Sequence, residues 1–422
     1  MTRSHLIWER ATIRISFPCL PRILRLFFEF AVRLDGRARG DRKRVVRPAK
    51  RRVWCWALRL ECLRSLRKVV GVKFPRSLAV AAFLIVSSFL SARAAEEFKL
   101  CTPGASAETV ALGKFLRAIS GNHTLVGQHC VPLLGSTRLA GDYKMTGQYP
   151  AVFSQDFGFS APGTWDGINY RQAIVDEAIR RNEEGFIINL MWHAVRPIDD
   201  EPVEFEQSVQ GKLTDQQWQE LLTPGSNLNE RWKSQVDVIA FFLKQLRDAR
   251  VPVLWRPYHE MNGDWFWWGG RSDGNGYKKL YRMLYDRLVH FHHLNNLIWV
   301  FGGNEVRPKV GAYADFFPGP DVVDVLATDV YSSDYAGHDY EDLLALADGK
   351  PIALAEVGPL PTPGILRKQP RWAWFTAWGE MGSSRTNRTA VKDLLDDDSV
   401  MTWEKLPWVK IKQPTIHYPV IK

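Results

Sequence analysis

Short apolar segments separated by longer amphipathic ones set the rhythm of the chain from residue 108 onward. The stretches Leu125–His129, Ala151–Phe157, Phe186–His193, Val251–His259, Leu297–Asn304, Val322–Tyr331, Ile352–Val357 and Trp372–Trp378 are short and largely apolar on both faces, the pattern of buried parallel strands. Helical spacing of apolar side chains recurs at Glu108–Ile119, Tyr170–Arg181, Ser234–Arg250 and Tyr277–His293. In the third of these, Val236, Ile239, Ala240, Leu243 and Leu246 line one face, as a helix packed on a sheet requires. Strands alternating with helices build parallel βαβ units. Eight such strands predict an α/β fold, a (β/α)8 or TIM barrel, as a single domain over residues 95–422. Arg196 to Arg231 is polar with Gly and Pro interspersed, and is expected to be an elaborated loop over the barrel mouth.

A barrel of this kind gathers its chemistry at the C-terminal ends of its strands. Polar and aromatic residues do collect there: Gln128 and His129, Asp156, Trp192 and His193, His259 and Glu260, Asn304 and Glu305, Asp329 and Tyr331, Glu356, and Trp378. The fourth strand runs into Trp255-Arg256-Pro257-Tyr258-His259-Glu260 and then Trp265-Phe266-Trp267-Trp268. A carboxyl beside apolar rings is poorly solvated when ionised, so it holds its proton to higher pH, which suits Glu260 to general acid work. Flat aromatic faces suit the apolar faces of sugar rings. The seventh segment, Ala353-Leu354-Ala355-Glu356, delivers a second carboxylate to the mouth. Two carboxyls, one protonating the departing oxygen and one attacking or activating water, are what glycosidic cleavage needs.

Composition changes the picture at the front of the chain. The formal charge of the 422 residues is +10, but residues 1–76 hold 17 Arg and 4 Lys against 5 acidic residues, and the remainder is acidic by 6. A mildly acidic body argues against a nucleic-acid partner. Residues 1–70 are expected to be a basic leader, untranslated or unstructured. Lys73 and Arg76, the apolar run Leu78 to Leu90 and Ala92-Arg93-Ala94 make a secretory signal peptide over 71–94. The run is short for a membrane span, so no stable membrane association is expected after cleavage, and the mature chain is expected to be secreted or periplasmic. Beyond the leader only Cys101 and Cys130 remain, a candidate disulfide in an exported protein. No Cys–His spacing suggests a metal site, and the two carboxylates need no cofactor.

The string His259-Glu260-Met261-Asn262-Gly263-Asp264-Trp265-Phe266-Trp267-Trp268-Gly269 after Arg256-Pro257 resembles glycoside hydrolase family 26, mostly β-mannanases. The resemblance spans roughly residues 108–380 and implies that Glu260 is the acid/base and Glu356 the nucleophile of a retaining mechanism. Arg256 and Tyr331, the latter in Asp329-Val330-Tyr331-Ser332, would hold Glu356. By the same resemblance, His193 and His259 line the subsite of the cleaved sugar, and Trp265 and Trp378 wall it. The implied protein is a secreted, monomeric endo-β-1,4-mannanase acting on a mannan-type polysaccharide. The alternatives are the same mechanism on β-1,3-xylan or mixed-linkage β-glucan, or a glycan-binding barrel without catalysis. Strand five ends in Phe301-Gly302-Gly303-Asn304, less aromatic than the family pattern leads one to expect.

Overall fold

The computed structural model describes residues 99–131, 136–158, 167–381 and 387–414; the expected leader and signal peptide lie outside the described residues. Eight parallel strands close on themselves: β1 Thr124–His129, β2 Val152–Asp156, β3 Ile187–Trp192, β4 Val253–Pro257, β5 Leu297–Asn304, β6 Val325–Val330, β7 Ile352–Val357 and β8 Trp372–Ala377. Each strand pairs with the next, and β8 returns to β1. A short β9, Val400–Met401, pairs with Thr124 and Leu125 at the start of β1, where β2 does not reach. The barrel read from the alternation of segments is therefore present, with bounds within a few residues of those expected.

The helices around it are α1 Ala107–Ile119, α2 Arg138–Thr146, α3 Arg171–Glu183, α4 Asp215–Leu222, α5 Asn227–Asp248, α6 Tyr277–Tyr285, α7 Tyr313–Phe316, α8 Gly337–Ala347, α9 Pro363–Lys368 and α10 Arg388–Asp396. Helix α6 runs on through a wider π-type turn at Asp286–Phe291. The apolar face read on α5 is the buried one, with Val236, Ile239, Ala240, Leu243 and Leu246 all buried, the four larger side chains each worth roughly 1.5–3 kcal/mol of transfer free energy. Nine tryptophans are among the largest fully buried side chains, so most of the indole content packs the interior rather than meeting a ligand.

Two expectations need correction. The segment from Arg196 to Arg231 is partly helical: it contains α4, and α5 begins at Asn227 rather than Ser234. The starts are written in caps that read as loop polarity. Thr214 Oγ1 accepts from Gln217 N while Gln217 Oε1 accepts from Thr214 N, a capping box, and Ser226 Oγ accepts from Asn229 N. The candidate disulfide does not exist, because Cys101 and Cys130 are both free thiols. Cys101 Sγ donates to Asp324 Oδ2 at 3.2 Å, just ahead of β6, whereas Cys130 directly follows β1 and donates to Gln128 O at 3.6 Å. The two thus sit at opposite ends of the barrel, a strand's length of about 17–20 Å apart, far beyond the reach of a disulfide. Thiol titration of the unfolded, never-reduced chain, with peptide mapping, should find both residues reactive; a mapped Cys101–Cys130 bridge would overturn this placement.

Candidate active site

The site is built where β4 leaves the sheet. After Pro257 the chain turns through Tyr258 at φ 48° and Glu260 at φ 53°, left-handed conformations that cost a non-glycine residue about 1–3 kcal/mol each. Tertiary contacts hold them there. Trp232 Nε1 donates to Tyr258 OH at 2.9 Å, Trp268 Nε1 to His259 O at 2.7 Å, and Glu260 N to Gly302 O at 2.7 Å. The aromatic string thereby divides. Phe266, Trp267 and Trp268 are buried, with Trp267 Nε1 donating to Ala194 O at 2.8 Å. Only Trp265 stays partly open, and its Nε1 donates to Glu260 Oε2 at 2.6 Å. Its ring lies back over Gly263, where any Cβ would stand 2.1 Å from it.

Glu260, Asp329 and Glu356 each bring a carboxylate oxygen within 4.8 Å of the others. Arg256, fully buried, lies among them: Nη1 donates to Glu356 Oε1 at 2.7 Å, and Nη2 pairs with Asp329. Burial works against its charge, but Asp329 and Glu356 more than restore it and hold its pKa above the ordinary value. Tyr331 OH donates to Glu356 Oε2 at 2.7 Å; burial and Glu356 push the phenol's pKa up, so it remains a donor. Glu260 accepts from two neutral donors, Trp265 Nε1 and Asn304 Nδ2, the latter at 2.9 Å from Oε1. Burial first, and then Glu356, raise its pKa above that of an ordinary glutamate. Three carboxyls around one guanidinium leave an excess of negative charge. Burial first, then Glu356 and Glu260, also hold the pKa of Asp329 well above the ordinary value against the pull of Arg256, so Glu260 and Asp329 are the two groups that can relieve the excess by holding a proton.

A second cluster faces the same space. His193 Nδ1 pairs with Asp156, whose Oδ1 also accepts from His193 N at 3.2 Å, and His193 Nε2 lies 2.9 Å from His259 Nε2. Burial disfavours a charged His193, but Asp156 outweighs it and raises the pKa. Burial, Arg256 and His193 drive His259 well below the usual imidazole value. These opposite shifts favour His193 as the donor across the pair and His259 as the acceptor, with His259 Nε2 3.8 Å from Glu356 Oε1. Trp378 stacks on His129, ring centroids 4.2 Å apart, and Phe205 and Phe266 pack edge-on against His193.

All eight residues read from the sequence, His193, Arg256, His259, Glu260, Trp265, Tyr331, Glu356 and Trp378, are brought to this one mouth, and Cys101 and Cys130 are not part of it. Four contributors were seen only as strand ends or motif letters: Asp156, Asn304, Glu305 and Asp329. Their contacts could not be read, although their places at the ends of β2, β5 and β6 were a signal. Glu305 is buried and accepts from the backbone N–H groups of Tyr331 and Ser332 at 3.1 and 2.9 Å, which sets the course of the loop carrying Tyr331. The glycines that end β5 also acquire a reason, since a Cβ at Gly302 would stand 2.8 Å from Arg256 Nε.

A carboxyl held by neutral donors, facing a carboxylate held by an arginine at the mouth of a barrel, defines the glycoside hydrolase class of site. The sequence model of glycosyl hydrolase family 26 matches residues 101–405, and the chain belongs to that family. It is 36% identical over 320 residues to a mannan endo-1,4-β-mannosidase of Thermothelomyces thermophilus, covering 73% of this chain and 63% of that protein. It is 31% identical over 268 residues to a mannan endo-1,4-β-mannosidase of Bacillus subtilis, covering 58% and 70%. The chain thus spans less than two thirds of the length of the Thermothelomyces protein. Among solved structures, GH26A from a Muricauda species aligns with TM-score 0.69 and 42% identity, over 73% of this chain and all of that one. A Podospora anserina β-(1,4)-mannanase aligns with TM-score 0.62 and 30% identity, over 74% and 69%.

The Asp156–His193 pair makes stability depend on pH. The folded pKa of His193 is raised, so its contribution is fully present below the unfolded pKa and is lost as pH rises through the folded value. Asp156→Asn breaks this buried pair and should cost about 3–5 kcal/mol at mildly acidic pH. The difference from wild type in urea unfolding should shrink as pH is raised. A deficit independent of pH between 5 and 9 would mean that His193 is not charged.

Proposed function

We propose that this chain is a retaining endo-β-1,4-mannanase, with Glu356 as nucleophile and Glu260 as acid/base. The single observation that carries the mechanism is the approach of the two glutamates, a pair of their oxygens lying within 4.8 Å. Retaining enzymes hold their carboxyls about 5–5.5 Å apart, whereas inversion needs about 6.5–9.5 Å to seat a water between them. The substrate reading is supported by relatives that carry the mannan endo-1,4-β-mannosidase name across a fungus and a bacterium.

In this scheme Glu356 Oε attacks the anomeric carbon while Glu260 gives its proton to the departing glycosidic oxygen. Arg256 and Tyr331, donating to its two oxygens, aim Glu356 at the anomeric carbon. Charge on Glu356 is spent in forming the glycosyl–enzyme bond, which lowers the demand of Glu260 for its proton. Glu260, now ionised, takes a proton from water, whose oxygen displaces Glu356 from the anomeric carbon. His259 and His193 line the cleaved sugar's subsite, and Trp265 and Trp378 wall it. We further propose export directed by residues 71–94, and action as a monomer, for which the assembly of the whole site from one chain is the support.

Reducing-sugar release from linear β-mannan, β-1,3-xylan and barley glucan tests the substrate. Mannan should be cleaved, and release from another glycan alone would replace the substrate while keeping the mechanism. Glu260→Ala should lower kcat on mannan by about 10²–10⁴-fold, the usual share of a positioned acid, and Glu356→Ala at least as much. Proton NMR of the first product should show the β-anomer; an initial α-anomer would mean inversion. The alkaline limb of kcat/KM should lie above the ordinary glutamate range, because Glu260 must be protonated to act and its pKa is raised. A limb at the ordinary glutamate value would remove Glu260 from that role.

A further inference from the structure

Strand β4 last pairs with β5 at Trp255 and Trp299, whereas β5 runs on to Asn304. Backbone groups along that stretch of β5 would be left without partners, which a buried edge does not tolerate. The segment after β4 supplies them in an irregular way. Glu260 N donates to Gly302 O at 2.7 Å. Asn262, itself buried, accepts from Asn304 N at 2.7 Å through Oδ1 and donates from Nδ2 to Asn304 O at 2.8 Å and to Gly311 O at 3.0 Å. Gly311 N returns to Asn262 O at 2.8 Å. The side-chain amide of Asn262 thus stands in for the peptide group of a missing strand neighbour. Gly303 makes this possible, since a Cβ there would lie 2.7 Å from the Tyr313 ring and 3.2 Å from Asn262 Oδ1.

The other edge of Asn304 is paired with Asp329 of β6, so its backbone is held on both sides and its side chain has a fixed origin. From there Nδ2 reaches Glu260 Oε1 at 2.9 Å, while Trp265 Nε1 reaches Oε2 at 2.6 Å. One donor on each oxygen fixes the plane of the carboxyl as well as its position. Trp265 alone would leave the carboxyl free to pivot about a single hydrogen bond. We propose that Asn304, its backbone clamped by Asn262, is a positioning residue for the acid step, holding the Glu260 carboxyl in the plane from which its proton reaches the glycosidic oxygen. The inference rests on the assignment of Glu260 as acid/base.

The test compares wild type with Asn304→Ala, Asn304→Asp and Asn262→Ala on mannooligosaccharides and on 2,4-dinitrophenyl β-mannobioside, whose leaving group departs without protonation. Asn304→Ala should lower kcat/KM on the oligosaccharide about 10-fold, a fraction of the 10²–10⁴ that a positioned acid supplies, while kcat/KM on the activated substrate stays within about 2-fold. Its alkaline limb should move to higher pH, because the lost N–H favoured the ionised carboxylate. Asn304→Asp, nearly isosteric but negatively charged, should move it further. Asn262→Ala should give the signature of Asn304→Ala in weaker form. Equal losses on both substrates with an unmoved limb would make Asn304 merely structural, and a limb that moves down would mean that the amide accepts from a protonated carboxyl; either overturns the proposal. Melting curves separate these outcomes from misfolding. Should wild type act on neither substrate, the assignment of Glu260 fails. The tether is then read by carbon-13 NMR titration of Glu260, whose midpoint must rise in Asn304→Ala if the tether exists.

Discussion

A fully buried guanidinium, that of Arg256, organises the mouth of this barrel. It rises from β4, passes over the bare backbone of Gly302 on β5, and ends on Asp329 of β6 and Glu356 of β7. Removing such a charge from water costs several kcal/mol, and the arrangement stands only because two carboxylates meet it. Any one of these groups without the others would be an uncompensated buried charge. Three strands, β4, β6 and β7, are thereby tied together at their upper ends by electrostatics, over a β5 whose Gly302 leaves room for the guanidinium, rather than by the sheet ladder alone. The same pairing leaves Glu260 as the carboxyl with no cation of its own, and that difference separates the chemistry of two otherwise identical side chains.

The second constraint is geometric. Strand β4 must deliver His259 and Glu260 to the mouth while its neighbour β5 continues upward. The chain solves this by leaving the sheet through two left-handed residues, Tyr258 and Glu260. The strain is held by indole donors from Trp232 and Trp268, and the abandoned edge of β5 is filled by Glu260 N and by the side chain of Asn262. Much of the Trp-rich string that follows β4 is therefore scaffolding for this exit. Trp265 is the exception, and the one that touches a carboxyl.

How much of this was legible in the sequence depends on the range of the interaction. Strands and their ends are local, and the apolar segments located all eight barrel strands together with the residues at their tips. The pairing of Glu260 with Glu356 was also legible, because a closed barrel forces strand ends to converge. Contacts between tips were not. Asn304 reaching Glu260, and Asp156 setting the charge of His193, depend on register and side-chain direction across neighbouring strands, which no periodicity records. The helix starts after Thr214 and Ser226 were missed because capping residues are the same polar residues that make loops. The disulfide was a counting argument, two cysteines in a chain expected to be exported, and it failed because counting says nothing about which end of a barrel a residue occupies.

The site works by dividing like pairs. Two glutamates lie close together, one beside Arg256 and a phenol, the other beside an indole and an amide, and the second, with its raised pKa, is the one suited to keep a proton. Two histidines touch through their Nε2 atoms, the proton affinity of one raised by Asp156, that of the other lowered by burial, Arg256 and its partner. Environments that push the proton affinities of paired groups apart are what assign distinct roles to identical side chains. In each pair the charge is fixed by a residue from a different strand, Arg256 on β4 for Glu356 of β7 and Asp156 on β2 for His193 just beyond β3. The division therefore depends on the closure of the barrel, and a shift of any one strand in register would move the fixing charge from one member of a pair toward the other.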